Sequence, residues 1–243
     1  PSDIDGRKAW LRLLAALAIG AIGSTGMWLV AVALPAVQAE FGVARASASM
    51  PYTLAMLGFG VGGIVMGRIT DRFGVIVALL LGTALLGAGY LTSALATAMW
   101  HYTLAYGVLV GLGTGAMFAP LMADISHWFR RRRGTAVAIC ACGNYLAGTI
   151  WPPLLQHYIS TDGWRATHIG YGLLCLVLMP PLALAFRTRA PVDPEAHASA
   201  AAWQAMPLAI SPGTLQAVLV VAGIACCVAM SMPQVHIVAY CGD

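Results

Sequence analysis

Six side chains in this sequence are polar or amphipathic yet sit inside long apolar runs: Trp28, Tyr52, Asn144, Tyr145, Gln234 and His236. At membrane depth such groups usually face the interior of a bundle, where they meet a solute or a partner side chain. Their chemistry is hydrogen bonding through indole and phenol donors and two amides, with His236 able to relay a proton. Trp and Tyr near the end of an apolar run also serve as interfacial anchors, and His236 has the same alternative at the outer interface. No nucleophile–base pair appears within the runs, which sets an enzyme behind other readings. Cys140, Cys142, Cys175, Cys226, Cys227 and Cys241 form no C-x-x-C pair and have no His at zinc spacing. They read as small buried hydrophobes, and no metal or cofactor is expected.

The elements that must hold these groups follow from composition. Hydrophobic residues make up 60% of the 243, charged residues 9%, and the mean hydropathy is +0.80. A soluble domain carries about 25% charged residues, so the solvent for this much apolar surface is lipid. The fold class is all-α, a polytopic membrane helix bundle. Uncharged runs lie between Arg12 and Glu40 and between Arg45 and Arg68. Arg72 to Asp124 contains no charge at all and as one helix would reach about 75 Å, more than twice the roughly 30 Å hydrocarbon core. It must be two spans, with a turn predicted near Thr97 to His101. Arg133 to Asp162 holds a fifth span, Arg165 to Arg187 a sixth, and Pro212 to about Tyr240 a seventh. The first run lacks the cleavage pattern of a signal peptide and is followed by further spans.

Charge orients the bundle. With the N-terminus inside, Arg7, Lys8, Arg12, Arg68, Arg72, Arg130 to Arg133, Arg187 and Arg189 share one side, 11 of the 13 basic residues. Only Arg45 and Arg165 fall on the other, as the positive-inside rule requires of a cytoplasmic N-terminus. The net charge of +4 reflects this topology. The basic residues form no extended stripe for nucleic acid; the run from Arg130 to Arg133 has membrane lipid head groups as its alternative partner. Asp124 and His127, closing the fourth span, read as part of the same cytoplasmic charge network. Gly107, Gly111 and Gly115 in the fourth span, and Gly58 with Gly62 and Gly63 with Gly67 in the second, have the four-residue spacing that lets helix backbones approach closely.

The junction after the second span reads Gly67-Arg68-Ile69-Thr70-Asp71-Arg72-Phe73-Gly74. It resembles the G-x-x-x-D-R-x-G signature of the major facilitator superfamily, with Val75 and Ile76 where that family often has two basic residues. The resemblance implies a gating role for Gly67, Asp71, Arg72 and Gly74, whose contacts lock one face of a transporter shut and break when it reopens. The segment Trp128-Phe129-Arg130-Arg131-Arg132-Arg133-Gly134-Thr135-Ala136 is similar to the entry to the fifth span in the monocarboxylate-transporter and oxalate/formate-antiporter branch. Gly163-Trp164-Arg165 and Asp5-Gly6 ahead of Trp10 resemble the same branch.

That likeness implies a six-helix major facilitator half plus a seventh helix. Residues 1–189 form the six-helix domain, 190–213 a cytoplasmic central linker, and 214–243 the start of a truncated second half. Pro191 and Pro194 are expected to end the sixth helix, with Ala196 to Met206 as a short interfacial helix. The implied activity is secondary active transport of a small organic anion, a monocarboxylate-like carboxylate, with protons or a counter-substrate as the coupled partner, in a bacterial-type inner membrane. No Lys or Arg lies deep in any span, although a carboxylate needs a cation or several donors; the resembled branch commonly supplies that cation from its second half. A non-transporting assembly or sensor subunit built from a transporter half is the other class the sequence leaves open.

Overall fold

The computed structural model describes residues 4–188 and 213–223, together with 211, 225 and 229. Two compact units divide the chain, Pro1–Pro191 and Val192–Asp243. The second is described chiefly as one apolar helix, Gly213–Gly223. The linker readings at 190–210 and the contacts of Gln234 and His236 lie outside the described residues.

The first unit is a bundle of six spans. Span one is α1 (Arg7–Gly23) and α2 (Gly26–Phe41), separated at Ser24–Thr25. After a single turn, α3 (Arg45–Ala48), span two is α4 (Met50–Phe73) and span three α5 (Val75–Ala94). Span four runs through α6 (Met99–Leu104), a π-helical turn (Ala105–Val110), α7 (Gly111–Ala116) and α8 (Ala119–Trp128). The turn before it occupies 95–98, slightly ahead of the predicted position, because Leu95 and Ala96 already leave the helix.

Spans five and six follow each other within α9 (Arg133–Ala183) with no loop between them. A single straight helix of 51 residues would be about 77 Å long, far beyond the hydrocarbon core. Gly163 breaks it, with φ 85° and ψ 159°. Gly74, the one residue between spans two and three, has φ 92° and ψ 159°. L side chains rarely adopt such angles, so both reversals depend on glycine. Gly67 to Phe73 are therefore the last turns of span two rather than a loop.

The six spans fall into two triplets that run in opposite senses. In each triplet the first helix is broken, at Ser24–Thr25 and at Met117–Phe118. In each, the second and third helices meet at one glycine with nearly the same backbone angles.

Glycines allow the closest crossings. A Cβ on Gly58 would stand 2.6 Å from the Gly107 carbonyl oxygen, and one on Gly115 2.7 Å from the Gly62 backbone. Gly63 and Gly67 face open space. Spans one and five cross at Gly20 and Gly143, where a Gly143 Cβ would lie 2.9 Å from the Leu17 carbonyl oxygen.

Candidate functional site

The break in span one frees backbone carbonyls inside the bundle, and side chains from three other spans satisfy them. Trp151 Nε1 donates to Ala21 O at 2.8 Å, Tyr171 OH to Ile22 O at 2.8 Å, and Tyr106 OH to Gly26 O at 2.7 Å. Tyr90, Tyr102, Tyr106, Tyr171 and His168 pack edge-on around this point. His168 Nδ1 lies 2.7 Å from the Trp164 carbonyl, which can only accept. That fixes the proton on Nδ1 and leaves Nε2 to accept from Tyr102 OH at 3.2 Å. This cluster is fully buried and holds the broken helix in shape.

The predicted substrate residues lie elsewhere, on a partly open face. Trp28 is half-buried on α2, with Ala31 and Pro35 exposed along the same side of the helix. Its indole rests on span five: a Cβ on Gly148 would be 2.5 Å from Cζ2 and 2.7 Å from Cε2. Asn144, one turn from Gly148, is half-buried and makes no hydrogen bond among the described residues. Tyr145 is exposed, and Tyr52 is half-buried against the core at the start of span two. Trp28 and Asn144 thus share one face, and no hydrogen bond or ring contact joins Tyr52 or Tyr145 to them. Gly148 escaped the sequence reading, since a lone glycine in an apolar run carries no signal of what sits on it.

On the face that carries the N-terminus, Asp71 is exposed and makes no ion pair or hydrogen bond among the described residues. Arg72 lies over the Phe73 ring at 5.3 Å. The strong contacts are made by other residues. Arg12, counted from sequence among the basic residues of this side, is only 2% exposed. Its Nε and Nη2 donate to the two carboxylate oxygens of Asp124 at 2.6 and 2.8 Å. Nη1 donates to the carbonyls of Ala185 and Thr188 at 3.0 and 2.9 Å. The guanidinium is held between the rings of Trp128 and Phe186, each 4.6 Å away. One side chain therefore pins the ends of spans one, four and six.

Beside it, Asp5 Oδ2 accepts from the backbone N–H groups of Arg130 and Arg131 at 3.3 and 3.1 Å. Asp5 N donates to Trp128 O at 3.1 Å, and Trp10 meets Phe129 edge-on at 5.3 Å. The segment around Asp5 and the segment from Trp128, read separately in sequence, are two sides of one junction. On the opposite face Arg165 donates to Glu40 Oε1 at 2.7 and 3.0 Å and to Ala94 O at 2.5 Å, while Trp164 Nε1 donates to Glu40 Oε2 at 2.5 Å. The ends of spans one, three and six on that face are joined there. No cluster of His, Cys, Asp and Glu with metal-binding geometry occurs among the described residues.

Comparison with known proteins places this arrangement. The family profile described as Major Facilitator Superfamily matches residues 16–242. Human monocarboxylate transporter 11 is 29% identical over 192 residues, covering 79% of this chain and 41% of the relative. Mouse monocarboxylate transporter 6 is 29% identical over 186 residues, 74% of this chain and 40% of the relative. The yeast (Saccharomyces cerevisiae) riboflavin transporter MCH5 is 33% identical over a shorter 97 residues, 40% of this chain and 19% of the relative. The chain thus spans about two fifths of the length of the two monocarboxylate transporters. Among solved structures, a peptide transporter POT in complex with alafosfalin aligns with TM-score 0.55 and 20% identity, covering 86% of this chain and 45% of that one. At that identity the likeness concerns the fold.

Proposed function

The chain belongs to the major facilitator superfamily, and from that premise we propose that the whole protein is a secondary transporter of small monocarboxylate-like anions, working by alternating access with proton coupling or exchange. A multi-pass membrane protein of a transporter family is what the family match and the apolar helices give. The observation that carries the finer reading is the likeness to two monocarboxylate transporters over three quarters of the chain. It is supported by the junction in which the branch-like segments at Asp5 and Trp128 close on each other.

In this reading the open face of spans one and five, with Trp28 and Asn144, borders a substrate path completed by helices beyond these six spans. The Asn144 amide there suits a carboxylate as a donor. Tyr52, Tyr145, Gln234 and His236 are the other proposed contacts. The charge asymmetry supports a cytoplasmic N-terminus, and Asp71 and Arg72 on that side, with Gly67 and Gly74 shaping the helix end, take the gating role. The exposed carboxylate of Asp71 is free to pair with a group outside the described residues in one state and release it in the other.

Reconstitution of the full-length protein in proteoliposomes tests the assignment. Uptake of radiolabelled lactate, pyruvate or formate, raised by an inward proton gradient or by trans-loaded carboxylate, is the expected result. Absence of uptake of all three under both conditions, with correctly folded protein, overturns it in favour of a non-transporting role.

A further inference from the structure

Three of the seven tryptophans, Trp28, Trp151 and Trp164, are held differently. Trp151 Nε1 is bonded to Ala21 O and Trp164 Nε1 to Glu40, so each ring is tied at its polar end. Trp28 Nε1 is shielded from solvent yet has no protein acceptor. Its position is set by packing alone, chiefly against the bare backbone at Gly148. A buried N–H without an acceptor is destabilising, so the ring gains by any movement that brings Nε1 to an acceptor. On the other side, the ring borders the open face along Ala31 and Pro35, with Asn144 one turn away on span five.

We infer that Trp28 is the size-selective element of the substrate face and that Gly148 sets how far its indole stands out from span five. This rests on the carboxylate assignment made above. With glycine at 148 the ring lies against the bare helix backbone, one turn from Asn144. Any side chain at 148 must displace the ring, because a Cβ would fall 2.5 Å from one of its carbons, well inside van der Waals contact. The backbone of span five cannot yield, so the ring moves toward the open face and narrows it. A solute with a methyl or hydroxyethyl group beyond the carboxylate then loses more than one without. Nε1, already lacking an acceptor, loses nothing by the shift.

The test is transport by the full-length protein in proteoliposomes, comparing formate with lactate. Gly148→Ala should lower kcat/KM for lactate relative to formate by roughly tenfold, the scale of discrimination that a methylene-sized change in a pocket provides. Adding Trp28→Phe, which shrinks the ring, should bring the ratio back to within about threefold of the parent on the same scale. An unchanged ratio in folded Gly148→Ala overturns the inference while leaving carboxylate transport intact. So does failure of Trp28→Phe to restore it. If the parent protein takes up neither solute, the carboxylate assignment fails instead, and the seat is read directly. With 5-fluorotryptophan incorporated, the Trp28 fluorine resonance should shift and become more sensitive to a water-soluble relaxation agent in Gly148→Ala. An unmoved resonance overturns the inference on its own.

Discussion

Consider removing Asp124 as Asp124→Asn. Arg12 is 2% exposed and Asp124 9%, and the pair is bidentate at 2.6 and 2.8 Å. Breaking a buried pair by deleting one charge leaves the other stranded and typically costs 3–5 kcal/mol. Two features place this case near the lower end. The guanidinium keeps the carbonyls of Ala185 and Thr188 and the flanking rings of Trp128 and Phe186. The asparagine amide also retains one acceptor for Nε or Nη2. The expected loss is about 3 kcal/mol, a shift of roughly 6–12 °C in midpoint for a unit of this size. Arg12→Met strands Asp124 and should cost a similar amount. The double variant Arg12→Met/Asp124→Asn strands no charge and leaves only the Ala185 and Thr188 carbonyls without their donor, so it should cost far less than the two single variants together. The cycle should therefore show a coupling energy of at least about 2 kcal/mol. Thermal unfolding of the detergent-solubilised protein, followed by cysteine reactivity, measures all four. Single variants within about 1 °C of the parent, or a double variant equal to the sum of the singles, would show that the pair is not the clamp described.

Two further outcomes follow from the geometry. Gly58→Ala should disrupt the crossing of spans two and four, since its Cβ would meet the Gly107 carbonyl at 2.6 Å, whereas Gly63→Ala meets open space; folded yield by fluorescence-detected chromatography should fall several-fold for the first and hold for the second. Asp71→Asn should leave yield and midpoint unchanged, because the carboxylate is exposed and without a partner among the described residues, yet shift the inward/outward distribution by up to about fivefold, the worth of a 1 kcal/mol exposed pair; cysteine accessibility of engineered sites on the two faces reads that shift, and an unchanged distribution removes Asp71 from the gate.

How far the fold could be read from sequence depended on what kind of force set each feature. The spans were legible because lipid excludes charge, and the gaps between Arg12, Glu40, Arg45, Arg68, Arg72, Asp124, Arg133 and Arg187 are dictated by that exclusion. The backbone freedom needed at Gly74 was legible because its place at the end of an apolar run calls for a reversal. The turn between Asp162 and Arg165 was legible from its charges, but its dependence on Gly163 was not, since Asp162-Gly163-Trp164 looks like an ordinary polar turn until its angles are seen. The side of the bundle that carries Arg12 was legible in the same way, but its burial was not. A basic residue at the edge of an apolar run is solvated by default, and only the distant Asp124, 112 positions along the chain, makes its burial affordable. The pairing of Arg12 with Asp124 and of Arg165 with Glu40 is decided by which helix ends meet, and that is a property of the triplet packing rather than of any local run. The substrate face shows the same division. Trp28 and Asn144 could be named because they are polar groups in apolar surroundings, but what joins them is Gly148, whose contribution is the absence of a side chain. A sequence shows a missing Cβ as one more glycine in a glycine-rich membrane helix; only the ring lying against it shows which glycine must stay bare.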